Sequence, residues 1–163
     1  MSDAYLEKLR AILKAYDERV GDAPPLSRRA QQDADTLRRA GAERLRTVVR
    51  PVLQSVMTEL RNAGHDTSVQ DHTDSDDTYP AVSLSLTPLA RGVSQGALAS
   101  ALTFRFDPRR GIVVQRDIRP SAARGKWIST TIDRGGTIGV DALSAEWVET
   151  KTLSFVDAVL KAN

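Results

Sequence analysis

The chain has 163 residues, a net charge of +2, 40% hydrophobic and 27% charged residues, proportions usual for a soluble globular domain. With no cysteine, disulfides, a thiol nucleophile and cysteine-ligated zinc or iron–sulfur clusters are excluded, and so small a charge gives no reason to invoke a polyanionic partner. Aromatics make up only 5%, so the core must come mainly from Leu, Val, Ile and Ala.

Asp3, Glu7, Lys8 and Arg10 interrupt the apolar run that a signal peptide needs, and no stretch of about 18 apolar residues occurs to span a membrane. A cytoplasmic location is expected. Ser2 offers a cap for a first helix, in which Tyr5, Leu6, Leu9, Ile12, Leu13, Tyr16 and Val20 form one apolar stripe at helical spacing. "GDAPP", 21–25, stops it. Ser27 offers a second cap. From Arg28 to Asn62 helical spacing returns through Ala30, Ala34, Leu37, Leu45, Val48, Val52, Val56 and Leu60, with Gly64 as C-cap. A straight helix of that length would reach roughly 52 Å and overhang a compact domain with a radius of gyration of about 15 Å. Pro51 cannot donate to the carbonyl of Thr47, so a kink or break is expected there.

The next stretch, "GHDTSVQDHTDSDDTYP" (64–80), holds both histidines of the chain. Its candidate metal ligands are His65, His72, Asp71, Asp74 and Asp76, since hard cations take closely spaced carboxylates. The set does not complete a known pattern. An EF-hand loop counted from Asp71 would need glycine where Asp76 stands and glutamate where Val82 stands, and the two histidines are too far apart for one helical face. The stretch reads as a solvated turn, and no cofactor is expected.

Beyond it the period changes from helix to strand. "AVSLSLT" (81–87) alternates Val82, Leu84 and Leu86 with Ser83, Ser85 and Thr87. "ALTFRFD" (101–107) repeats the rule with Leu102, Phe104 and Phe106 inward. "DPRRG" (107–111) reads as a hairpin turn before the strand 112–118. A further strand is expected at "KWISTTI" (126–132), and a weaker one from Thr67 to His72. "DRGGTIG" ends the pattern, and Asp141 or Ser144 caps a last helix with the stripe Val148, Leu153, Phe155, Val156, Val159 and Leu160. Strict alternation with one polar face indicates an antiparallel sheet covered on one side.

Catalytic signatures are thin. "GVSQG" (92–96) matches the nucleophile elbow around Ser94, but both histidines precede it, against the usual chain order. The glycines near Lys126 and Ile138 complete neither a phosphate loop nor a dinucleotide fingerprint. A different signal comes from Arg105 to Arg134, where eight basic residues face three aspartates. Arg105, Arg109, Arg110, Arg116, Arg124 and Lys126, with Trp127 among them, form a candidate set for following a phosphate backbone or binding an anion.

The fold expected is α+β: an antiparallel sheet of four to five strands packed on one face by helices, with an N-terminal helical hairpin, in the order ααββββ(β)α. Residues 1–163 read as one domain, with 1–50 a hairpin or extension and 51–163 the α+β body. The function expected is a non-enzymatic interaction or adaptor module acting as a homo-oligomer, because the large apolar stripe of the first helix meets only Ala30, Ala34, Leu37, Gly41 and Leu45 on the second. That leaves Leu6 and Leu13 bare unless a second copy, or the sheet body, covers them. The alternative is nucleic-acid binding through a basic sheet face and the Arg-rich helix.

Overall fold

The computed structural model describes residues 3–22, 28–74, 79–89, 98–119 and 131–162. It divides into two compact units, Met1–Asp33 and Ala34–Asn163. The caps expected at Ser2 and Ser27 lie outside the described residues.

Helix α1, Asp3–Asp22, belongs to the first unit. Helix α2, Arg28–Arg44, begins in that unit and continues into the second. Pro51 neither breaks nor ends the helical path. A π turn, Leu45–Val49, leads directly into α3, Arg50–Asn62. The Arg50 amide reaches back to the carbonyl of Leu45, five residues away instead of four. The wider turn relieves the crowding that a proline ring imposes on the carbonyl four residues before it, and the helix survives its proline.

Of the expected stripe, Leu45 and Leu60 are buried, Leu37 ahead of the turn is exposed, and the turn shifts the positions between. Val48, Val52 and Val56 are half-buried, whereas Leu45, Val49 and Leu53 are fully buried. A π turn takes in one residue more than an α turn, so the inward face moves by one position. Gly64 does end α3. Its φ is 95°, its amide donates to Arg61 and the His65 amide to Leu60, the paired bonds of a Schellman cap.

Five strands follow: β1 Asp66–Asp71, β2 Ala81–Thr87, β3 Ser100–Asp107, β4 Gly111–Asp117 and β5 Thr131–Ile138. They form one antiparallel sheet in the order β1-β2-β3-β4-β5. The register sets Val82 against Phe104 and Leu84 against Leu102, then Phe104 against Val114 and Phe106 against Ile112. This inner face is buried beneath Leu45, Val49, Leu53 and Leu60 and beneath Leu143, Val148, Phe155 and Val159 of the C-terminal segment. The other face carries Ser83, Ser85, Ala101, Thr103, Arg105 and Gln115, together with Val113, which the register sets against Arg105 and which is buried.

The last strand differs from expectation. Residues 126–130 lie outside the described residues, and β5 runs on through "DRGGTI". Ile132 pairs with Gln115 and Thr137 with Val113, so Asp133 to Gly136 bulge out opposite Val114 alone. The break in sequence pattern marks a bulge within a strand, not its end.

Helix α4, Ala145–Ala162, follows a short 3₁₀ turn, Val140–Ala142. The Ser144 hydroxyl accepts the Trp147 amide at 3.2 Å and caps the helix. Its buried side is Val148, Thr152, Phe155 and Val159; Leu153 and Leu160, expected inside, are exposed. Thr152 can take the inner position because its hydroxyl donates to the Val148 carbonyl at 2.7 Å, which satisfies it locally. No helix among the described residues is long and apolar enough to cross a membrane.

Candidate functional site

The acidic stretch after β1 is organised around Asp71. One carboxylate oxygen accepts the Thr73 amide at 2.9 Å and the Thr73 hydroxyl at 2.6 Å. The other faces the Arg50 guanidinium at 3.2 Å. Thr73 is buried, and while its hydroxyl donates to Asp71 it accepts from Arg46 Nε at 2.8 Å. Arg46 then reaches Asp74 at 2.9 Å and Glu43 at 3.7 Å. Partial burial pushes the Asp71 carboxyl up, but the two bonds from Thr73 and the charges of Arg50 and Arg46 outweigh it and hold the group below the usual carboxylate range.

Asp71 and Asp74 therefore turn toward arginines of the helical segment instead of converging on a common point. Of the remaining candidate ligands, His65 accepts the Leu89 amide on Nδ1 at 2.9 Å, His72 is exposed just past β1, and Asp76 lies outside the described residues. Among the described residues no group of three or more His, Cys, Asp or Glu side chains is placed to hold a metal ion. Beside the network opens a polar cleft of about 520 Å³, lined by Arg38, Arg39 and Arg46 and by Asp35, Glu43 and Asp74. Its three cations and three carboxylates offset one another, so the cleft suits a dipolar or hydrogen-bonding group better than a bare anion.

Among the described residues, the basic candidates Arg105, Arg109, Arg110 and Arg116 occupy the open face of the sheet, the β3–β4 turn and the core side of β4. Arg105 is exposed on the open face of the sheet. Arg109 and Arg110 are exposed in the β3–β4 turn, their amides donating to the Asp107 carboxylate at 2.8 and 3.2 Å. Arg116 sits opposite Leu102, on the face that holds the core, and its half-buried side chain has an Nε without a hydrogen-bond partner. Arg124, Lys126 and Trp127, like Ser94, lie outside the described residues.

Sequence reasoning took the Arg-rich helix only as a possible nucleic-acid surface and missed the partners its arginines have within the chain. Arg44 binds the carbonyls of Val140 and Leu143, tying α2 to the entry of α4, and Arg61 binds the Thr67 carbonyl through Nε at 3.2 Å and through its terminal nitrogen at 3.0 Å. Arg46 and Arg50 stand four apart, the spacing of one helical face, and that was the available signal.

A second concavity was also missed. A groove of about 480 Å³ runs between α3 and α4, lined by Val52, Val56 and Leu60 on one side and by Leu153 and Val156 on the other. Leu153 is 65% exposed. Among the described residues, the charged side chains that line it are Glu59 and Glu149, with no basic one. Its signal in the sequence is a second apolar row on α4, one position round from the buried one: Leu153, Val156 and Leu160, with Glu149 a turn before them. Neither the family models, nor the curated proteins, nor the solved structures include a match to this chain.

Proposed function

We propose that the chain is a non-enzymatic interaction module that works as a homo-oligomer, joined through α1. The observation that supports this reading is the exposed stripe of that helix. Tyr5, Leu9, Ile12, Leu13 and Tyr16 are 42–63% exposed on one twenty-residue element. Each such side chain left in water forgoes up to about 1.5–3 kcal/mol of burial, and a contiguous apolar row on a soluble protein marks a contact surface. A second copy supplies the cover with the commonest symmetry, a two-fold axis.

The test is the solution mass at tens of micromolar protein, by sedimentation. A dimer is expected, and Ile12→Asp should weaken it by more than tenfold, because a carboxylate buried in the contact would be unpaired. A monomer throughout that range, or a dimer indifferent to Ile12→Asp, overturns the reading.

A further inference from the structure

We infer that the α3–α4 groove is the receptor for α1 of a second copy, exchanged reciprocally so that each molecule gives one helix and takes one. The inference rests on the self-association reading and specifies its contact. Among the described residues, α1 and the groove each present exposed apolar side chains, and the two agree in length and are complementary in charge.

The groove extends from Pro51 to Leu60 along α3, about 14 Å at 1.5 Å per residue, and the stripe of α1 from Tyr5 to Tyr16 spans about 16 Å on the same scale. Ridges of side chains on one helix seat between two others in this way, the helix-in-groove mode. The charges select among possible occupants. Glu59 and Glu149 line the groove, so two grooves pressed together would oppose carboxylate to carboxylate, which is unfavourable. Helical spacing puts Lys8 and Arg19 along one edge of the α1 stripe, three turns apart and with no acidic residue between them on that edge. Pairing of α1 with α1 would cover the stripe but leave Leu153, Val52, Val56 and Val156 bare. A reciprocal exchange about a two-fold axis covers both surfaces and closes at two copies, with no open chain of contacts.

The absence of cysteine from the chain makes disulfide trapping a clean test on the full-length protein. Ile12→Cys and Leu153→Cys replace side chains that are 63% and 65% exposed, so neither substitution threatens the fold. The two variants are mixed, distinguished by a mass tag and oxidised gently, with Arg109→Cys as the control for random collision. The mixed Ile12–Leu153 species should form roughly tenfold faster than either self-pair or any pair with the control, since docking raises the local thiol concentration. Lys8→Glu with Arg19→Glu should abolish that advantage, and Glu59→Lys with Glu149→Lys in the partner should restore it. A dimer in which Ile12→Cys links only to itself would sink the groove as receptor while leaving self-association through α1 intact. A wild-type chain that sediments as a monomer would overturn both.

Discussion

Gly41 lies against the ring of Phe106, where an added Cβ would stand 2.5 Å from Cδ2 and 2.8 Å from Cγ. Two effects compete in Gly41→Ala. Alanine gains about 1 kcal/mol in helix propensity, whereas forcing a methyl into a filled contact costs about 1–3 kcal/mol. Phe106 is buried and belongs to the core cluster, so it has little room to yield, and a net loss of about 1 kcal/mol is expected on chemical denaturation. Asp71 gives a pH-dependent counterpart. Its carboxyl is held below the usual range in the folded state, so it contributes stability above that range and loses the contribution as the pH falls through its lowered value. Asp71→Asn should therefore be less stable than the wild type near neutrality, by on the order of 1 kcal/mol or less, and the two melting curves should converge on acidification. A difference that persists unchanged into acid would mean that the charge of Asp71 contributes nothing. The density of aspartates in this loop was visible in the sequence, but their partners were not. Arg46 and Arg50 precede Asp74 and Asp71 by 28 and 21 residues, and no local rule joins positions brought together only by a helix packing beside a strand.

At the level of elements, what was legible followed from periodicity. Strand β2 matches its expected bounds because alternation of Val and Leu with Ser admits only one pleat and one register. Gly64 and the "DPRRG" turn were legible for the same kind of reason, since each uses residues whose backbone preference is specific. The π turn was not legible: Pro51 announces a conflict without saying whether the helix breaks, kinks or widens. Its widening has a testable energetic form. The extra residue sits among Leu45–Val49, and Thr47 there is exposed. Deleting Thr47 should restore an α turn without rotating α2 or α3 about their buried faces, yet it returns the proline ring to the carbonyl four residues earlier, at a cost of about 3 kcal/mol. Pro51→Ala in the intact chain should change stability by less than about 1 kcal/mol, since the π turn already accommodates the ring. Combined with the deletion, it should recover most of the loss. Such coupling between adjacent sites is what a double-mutant cycle measures. Two independent, additive losses would mean that the π turn is held by core packing around Leu45 and Val49 and not by the proline.

Among the described residues of the unit Ala34–Asn163 the five strands pair in sequence order, and the helices pack against the inner face of the sheet. Every inward position of β2, β3 and β4 up to Leu102 and Val114 is apolar or satisfied, and Phe104 stands at the centre. It pairs with Val82 on one side and Val114 on the other, and meets Trp147 of α4 edge-on at 6.1 Å between ring centres. Ser85 occupies the opposite face of the neighbouring strand, half-buried, between Ser68 and Ala101. One substitution to aspartate at each position tests whether the layer is one-sided. Phe104→Asp removes an aromatic side chain from the middle of the core and leaves an unpaired charge there, two penalties of several kcal/mol each. Domains of this size are stable by only about 5–15 kcal/mol in all, so the variant should be largely unfolded or melt tens of degrees lower. Ser85→Asp keeps its charge on the open face and loses mainly strand preference, at most about 1 kcal/mol, or roughly 2–4 °C in melting temperature. Thermal melts followed by circular dichroism separate the two outcomes. Equal destabilisation would require a second layer over the serine face, and the arrangement of one sheet covered by α3 and α4 on a single side would have to be abandoned.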